Sequence, residues 1–101
     1  LKQSEIYLEK LFNLLKNNNI KSTLIVYPWP TQIYYGDNYH ENYWRKFSNE
    51  NEINFLSIYD VFLENEDLKN FIFENFIYGD IHWNIKGNKL VSKKIIESIE
   101  F

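Results

Sequence analysis

The chain of 101 residues is 45% hydrophobic and 19% aromatic and carries a net charge of -3, which predicts one domain, or part of one, with a packed core. Its charges are interspersed, so no basic stripe indicates a nucleic-acid partner and no polybasic face indicates a membrane surface. The lack of cysteine excludes disulfides, zinc–thiolate sites and a cysteine nucleophile.

Neither a membrane segment nor a signal peptide is predicted. No apolar run approaches the roughly 20 residues that a membrane-spanning helix needs. The N-terminal residues do not show the charged and apolar regions of a secretory signal. The compartment therefore stays open between the cell envelope and the cytoplasm.

The N-terminal half predicts two helices on either side of a strand. Residues 4–17 have the period of an amphipathic helix. Its apolar stripe consists of Leu8, Leu11, Phe12 and Leu15. Residues 22–27 form a β-branched run that is typical of a strand buried on both faces, and a Pro-x-Pro segment ends it. We expect a loop to about Tyr39 and then a short helix over residues 42–49.

The C-terminal half predicts a second strand and two helices. Residues 53–58 read as the strand, which continues into a loop over residues 59–62. Residues 65–77 and 85–99 have helical periods, and Asn84 is well placed as the N-cap of the last helix.

The order of these elements predicts the fold class. Strands that alternate with helices imply parallel pairing and a three-layer α/β sandwich. Two parallel strands are too few, because independent stability usually takes three or more. The sequence also begins at Leu1 and contains no methionine. We therefore expect an incomplete half of a domain, whose sheet is completed by its own preceding part or by a partner.

The segment YGDIHWNIKGNKL, residues 78–90, carries the main candidate site. In a non-helical turn the Asp80 carboxylate can reach Nδ1 of His82, which leaves Nε2 free to take a proton from a hydroxyl. Trp83 is expected to anchor this loop against the core, and Gly87 to allow a close backbone approach. The competing interpretation is a capping aspartate beside a surface histidine.

The run GDIHWNIKGNKLVSKKI, residues 79–95, resembles the last motif block of the SGNH hydrolases, the GDSL-type esterase and acyltransferase superfamily. The shorter Asp-x-His spacing with a following tryptophan is similar to the branch that includes the alginate O-acetylation proteins. LIVYPWPTQIYYGD, residues 24–37, resembles a strand-and-loop segment of bacterial SGNH-like proteins. The resemblance covers residues 24–96, and its specific part is residues 80–87.

This resemblance implies a flavodoxin-like sandwich and a Ser-His-Asp triad, with His82 as general base and Asp80 as its orienting acid. Such a site takes an O-acyl ester, here with a hint of acetylated carbohydrate, and needs no metal or cofactor. The family's Gly-Asp-Ser nucleophile motif and its glycine and asparagine oxyanion donors are absent from the sequence. Residues 1–101 are therefore expected to be the C-terminal portion of a single SGNH domain and to be inactive alone, with the nucleophile in the missing N-terminal part.

Other candidates have simpler explanations beside the functional ones. Trp29 and Gln32 follow the first strand and could line a substrate pocket, or belong to a loop that covers the core edge. His40 has no surrounding motif and reads as a surface residue, and a metal site from His40, Asp80 and His82 lacks a spacing signature. The aromatic residues could stack sugars or pack the core. The alternative function is a non-catalytic α/β module that binds protein or glycan.

Overall fold

The computed structural model describes residues 1–100, a mixed α/β chain that is 61% helical with a small parallel sheet. Its elements in chain order are α1 (Lys2–Asn17), β1 (Thr23–Val26), α2 (Pro30–Tyr35), α3 (Tyr39–Glu50), β2 (Asn54–Ser57), α4 (Tyr59–Leu63), α5 (Leu68–Asn75) and α6 (Ile85–Ser98). None of the helices in this part of the chain is long and apolar enough to cross a membrane.

The two predicted strands are confirmed, and they pair in parallel. Leu24 lies opposite Phe55 and Val26 opposite Ser57, and α2 and α3 make the crossover between the strands. The prediction that the first strand is buried on both faces is wrong for residues 1–100, where all four residues of β1 are half-buried. The physical reason is that the described sheet has two strands, so β1 has a neighbouring strand on one side only and the side chains on both of its faces lie at the rim of the sheet.

The core lies between the two-stranded sheet and the helices α2, α4, α5 and α6. Ile33, Ile58 and Phe62 are fully buried, and Phe76 and Val91 complete the cluster. By contrast, α1 contains no buried residue. Of its predicted stripe, Leu8, Phe12 and Leu15 are half-buried and Leu11 is exposed. The helix is therefore confirmed as an element, but it contributes little to the core of residues 1–100.

The segment expected to be a loop up to Tyr39 contains the helix α2. Pro30 occupies its first position, where a fixed φ suits the helix and the missing N–H is not needed. The side chain of Gln32 accepts the Trp29 N–H over 2.8 Å, and Ile33 is inserted into the core. Gly36 ends the helix in the left-handed conformation, with φ of 64°. Burial of Ile33 thus stabilises a helix too short to form by itself.

The remaining boundaries also differ from the predictions. Residues 59–63 form α4 instead of a loop, because Tyr59 and Phe62 lie one turn apart and both reach the core. The helix expected over residues 65–77 is shorter, since Asp67 caps it by accepting the Asn70 N–H over 3.1 Å. The start of α6 after an Asn84 cap is confirmed.

Candidate active site

The loop between α5 and α6 is closed at its base by main-chain hydrogen bonds. Phe76 and Trp83 form an isolated antiparallel bridge, and the Ile77 N–H donates to the carbonyl of His82 over 2.9 Å. Gly79 turns the chain in the left-handed region, with φ of 71°. The Asp80 N–H then donates back to the Ile77 carbonyl over 3.0 Å. The loop is therefore a small hairpin-like structure with a defined tip.

At this tip the structure brings Asp80 and His82 into contact. Nδ1 of His82 and Oδ1 of Asp80 are 2.6 Å apart. The same carboxylate oxygen accepts the main-chain N–H groups of Ile81 over 2.6 Å and His82 over 3.1 Å. Three bonds to one oxygen fix the carboxylate in this turn. The expected reach of the carboxylate to Nδ1 is confirmed.

Charge favours one arrangement of the proton in this pair. The hydrogen bonds from the His82 side chain and main chain lower the pKa of Asp80, so the carboxylate is ionised at neutral pH. An ionised acceptor places the proton of a neutral imidazole on Nδ1 and leaves the Nε2 lone pair available. The His82 side chain is 74% exposed and that of Asp80 44% exposed, so a reacting group has access to Nε2.

Trp83 joins this loop to the core, as predicted. Its ring stacks on that of Phe62 at a centroid distance of 6.5 Å and meets the edge of Tyr27 at 4.8 Å. Tyr27 follows directly on β1. The base of the loop therefore lies near the carboxyl end of the strand, the edge at which ligands bind in open α/β sheets.

The start of α6 fits closely under the end of α5. A Cβ atom added at Gly87 would overlap the main-chain carbonyl oxygen of Asn75. The predicted close backbone approach at Gly87 is thus confirmed. Lys86 adds an ion pair to Glu74 over 2.9 Å. Because these contacts are local, the position of the Asp80 loop depends on residues immediately before and after it.

The structure also brings Trp29 and Gln32 together, at a cavity separate from the Asp80 loop. A space of about 270 Å³, which we call the aromatic cavity, is lined by Tyr27, Trp29, Gln32, His40, Trp44 and Tyr59 together with β1 residues. The Tyr59 hydroxyl donates to Oε1 of Gln32 over 3.4 Å. The sequence did not predict that Trp44 and Tyr59 line this cavity, because they reach it from α3 and α4, which are distant from Trp29 along the chain.

A larger groove of about 600 Å³ lies on the Asp80 side of the loop. It runs between the start of α2 and α5, and its apolar lining includes Phe73, Ile77 and Ile81. The sequence predicted that Phe73 and Ile77 lie in a helix over residues 65–77 and Ile81 in the loop that follows, and it predicted no groove between them. No residue of the aromatic cavity lines this groove.

Neither a nucleophile nor a metal cluster accompanies the pair in the part of the chain that is described. Within residues 1–100 no serine hydroxyl is hydrogen-bonded to the His82 ring; Ser57, for example, donates to Glu41 over 2.7 Å. His40, Asp80 and His82 do not come together as a group of three metal ligands in these residues. Comparisons with protein-family models, curated proteins and solved structures found no match to this chain.

Proposed function

We propose that this chain supplies the acid and base of a Ser-His-Asp triad in an SGNH-type ester hydrolase or O-acyltransferase. The observation that carries the proposal is the 2.6 Å contact between Asp80 Oδ1 and His82 Nδ1 at an exposed loop tip. A merely capping aspartate needs no imidazole partner. This carboxylate instead bonds the ring on the nitrogen that a triad requires, and the other nitrogen stays open.

The proposed chemistry has two stages. His82 Nε2 takes the proton of a serine hydroxyl while the serine oxygen attacks the acyl carbonyl of the ester. The ionised Asp80 stabilises the imidazolium, which then gives its proton to the departing alcohol. Water or a second alcohol next attacks the acyl-serine while His82 takes its proton, and the imidazolium returns a proton to the serine oxygen as the acyl–serine bond breaks. Hydrolysis results in the first case and acyl transfer in the second.

The serine and the oxyanion donors would come from polypeptide that precedes these residues in the same domain. We propose that the complete domain is a three-layer α/β sandwich in which β1 and β2 form one side of a longer parallel sheet. The half-buried strands support this, because parallel sheets are normally covered on both faces and β1 leaves an edge unpaired in residues 1–100. The substrate that the resemblance implies is an O-acylated, and specifically acetylated, carbohydrate.

The test is ester cleavage by the complete protein with p-nitrophenyl acetate as substrate. His82→Ala should reduce kcat to background, and Asp80→Asn should lower it by up to about 10⁴-fold because the wrong tautomer is stabilised. Asp60→Asn is the control for Asp80→Asn, since this carboxylate pairs with Lys94 over 2.9 Å and lines neither the groove beside Asp80 nor the aromatic cavity, and it should leave kcat unchanged. The 101-residue chain alone should be inactive.

Two results would contradict the proposal. The first is unchanged turnover in His82→Ala, and the second is His82-dependent turnover by the 101-residue chain, which would require a nucleophile within it. If the complete protein cleaves no ester but retains a ligand, the second candidate, a non-catalytic module that binds protein or glycan, is favoured. The aromatic cavity is the observation that supports that candidate.

A further inference from the structure

The aromatic cavity combines exposed ring faces with polar groups that have unused hydrogen-bonding capacity. Trp29 is 51% exposed and lines the cavity, so about half of its surface is accessible to a ligand. Trp44 lines the same space from α3. Large apolar faces with an N–H at one edge are suited to a ligand that is apolar on one side and polar at its rim.

Gln32 gives this cavity directional donors. Its Oε1 is occupied, because it accepts the Trp29 N–H over 2.8 Å and the Tyr59 hydroxyl over 3.4 Å. These bonds orient the amide so that Nε2 presents its two N–H groups, which have no acceptor within residues 1–100. Burial, together with the charges of Glu41 and Asp37, raises the pKa of Tyr59 to about 12. The phenol therefore stays neutral and keeps donating to Gln32.

The charge and the size of the cavity further restrict the chemical class of its ligand. Among residues 1–100, no Lys, Arg, Asp or Glu lines the cavity, so these residues supply none of the cations that a phosphate or carboxylate would need. His40 is the lining residue with a titratable imidazole. The volume of about 270 Å³ falls just below the range of about 300–1,000 Å³ of drug-sized ligand sites. One neutral ring with several hydroxyl groups fits this description.

We propose that the aromatic cavity binds a single pyranose ring of a carbohydrate, stacked on Trp29 and hydrogen-bonded by Gln32 and His40. Tyr27 links this cavity to the Asp80 loop, because it lines the cavity and contacts Trp83, the residue after His82. The ring would be the alcohol part of the ester. That assignment rests on the proposed function, whereas ring binding rests on the cavity alone.

The binding test uses the complete protein and NMR of its side-chain N–H groups. Titration with methyl β-D-glucopyranoside should shift the indole signals of Trp29 and Trp44 and the side-chain amide of Gln32. A Kd of about 1 mM is expected for a ligand of this size. The Nε1 atom of Trp83 is buried, and Trp83 lies outside the cavity lining, so its indole N–H signal should stay in place. Inorganic phosphate and cyclohexanol, tested separately, should cause no saturable shift.

Substitutions at Trp29 separate stacking from general damage. Trp29→Ala should weaken binding by about tenfold, and Trp29→Phe should restore most of it because the ring face is kept. Tyr35→Ala is the matched control, because Tyr35 is an aromatic residue of the adjacent helix α2 and is 78% exposed. Tyr35 lines neither the aromatic cavity nor the larger groove. Thermal unfolding of each variant shows whether it is folded.

Each result bears on the inference. Saturable shifts confined to the cavity, lost in Trp29→Ala and kept in Tyr35→Ala, support it. Absence of shifts, equal binding of cyclohexanol, or full binding by folded Trp29→Ala would overturn it. None of these outcomes depends on catalysis. His82-dependent turnover by a complete protein that binds no ring in the aromatic cavity would refute this inference and leave the proposed function standing. Ring binding in the aromatic cavity by a complete protein without His82-dependent turnover would support this inference and refute the proposed function.

Discussion

The side-chain amide of Asn84 donates a hydrogen bond to the main-chain carbonyl of Glu74 over 2.8 Å. Its carbonyl oxygen accepts the N–H of Gly87 over 3.0 Å, which caps α6. One side chain thus joins the last turn of α5 to the first turn of α6. The loop that carries Asp80 and His82 has both ends fixed by this residue and by the Asn84 N–H, which donates to Asn75 over 3.0 Å.

We expect Asn84→Ala to destabilise the chain by about 2 kcal/mol, because it removes the cap and leaves the Glu74 carbonyl without its side-chain donor. Asn84→Asp should recover part of this loss, since an aspartate caps but cannot donate. The measurement is urea unfolding followed by circular dichroism. Asn88→Ala is the control, because its amide reaches the Trp83 carbonyl at 3.4 Å from an exposed position. Equal stability of the Asn84→Ala and Asn88→Ala variants would contradict the two-sided role of Asn84.

Gly87→Ala tests the close contact between α6 and α5. Alanine in a helix is ordinarily favoured over glycine by about 1 kcal/mol. Here the added methyl group would overlap the Asn75 carbonyl oxygen, a main-chain atom that cannot rotate away. We expect a net loss of about 1–3 kcal/mol in the free energy of unfolding. Lys89→Ala on the exposed face of α6 should change it by less than about 0.5 kcal/mol. A Gly87→Ala variant more stable than the parent would show that the helices can separate without cost.

The pKa of Asp80 provides a test of the pair that needs no activity. His82 lowers this pKa, so the stabilising contribution of the ionised carboxylate is present at neutral pH and is lost as the pH falls through the lowered value. Carbon-13 NMR of the side-chain carboxyl should show the Asp80 midpoint rising in His82→Ala. Glu74 is an internal reference, because Lys86 lowers its pKa and that pair is untouched by the substitution. An unchanged Asp80 midpoint in this variant would mean that the two side chains do not interact in solution.

Ser48 identifies a position where removal of a polar atom should help. The residue is 0% exposed in α3, and its hydroxyl has no hydrogen-bond partner within the described residues. Ser48→Ala removes an unsatisfied polar group and installs the best helix former, so we expect a gain of about 1–2 kcal/mol in urea unfolding. Ser92→Ala, exposed on α6, should gain no more than about 0.5 kcal/mol from helix propensity. Similar gains at the two sites would mean that Ser48 finds a partner in solution.

Local signals in the sequence predicted the parts of the fold that local chemistry decides. The cap at Asn84 and the small residue at Gly87 precede an apolar period that continues through α6, and all three are present. The two β-branched runs became the paired strands. The contact of Asp80 with His82 could also be predicted, because residues two apart in a turn lie close whatever surrounds them.

Tertiary contacts decided what the sequence did not reveal. The helices α2 and α4 have six and five residues, too short for a reliable apolar period, and they exist because Ile33 and Phe62 are buried by distant elements. The aromatic cavity likewise joins Trp29 with Trp44 and Tyr59 across three helices. Nothing in the spacing of these three residues along the chain indicates that they lie close together in the fold. The burial of β1 was overestimated because the composition of a strand does not indicate how many strands and helices pack beside it.

The bridge between Phe76 and Trp83 has a consequence for the speed of any reaction at His82. A mobile loop would have to find the reactive arrangement anew at each encounter with a substrate, and the search would lower the rate. In this chain the Asp80–His82 part of that arrangement is set during folding, because the backbone of the turn is closed by hydrogen bonds. In the proposed mechanism, loosening that closure should therefore slow the chemical step even in a variant whose imidazole and carboxylate are intact.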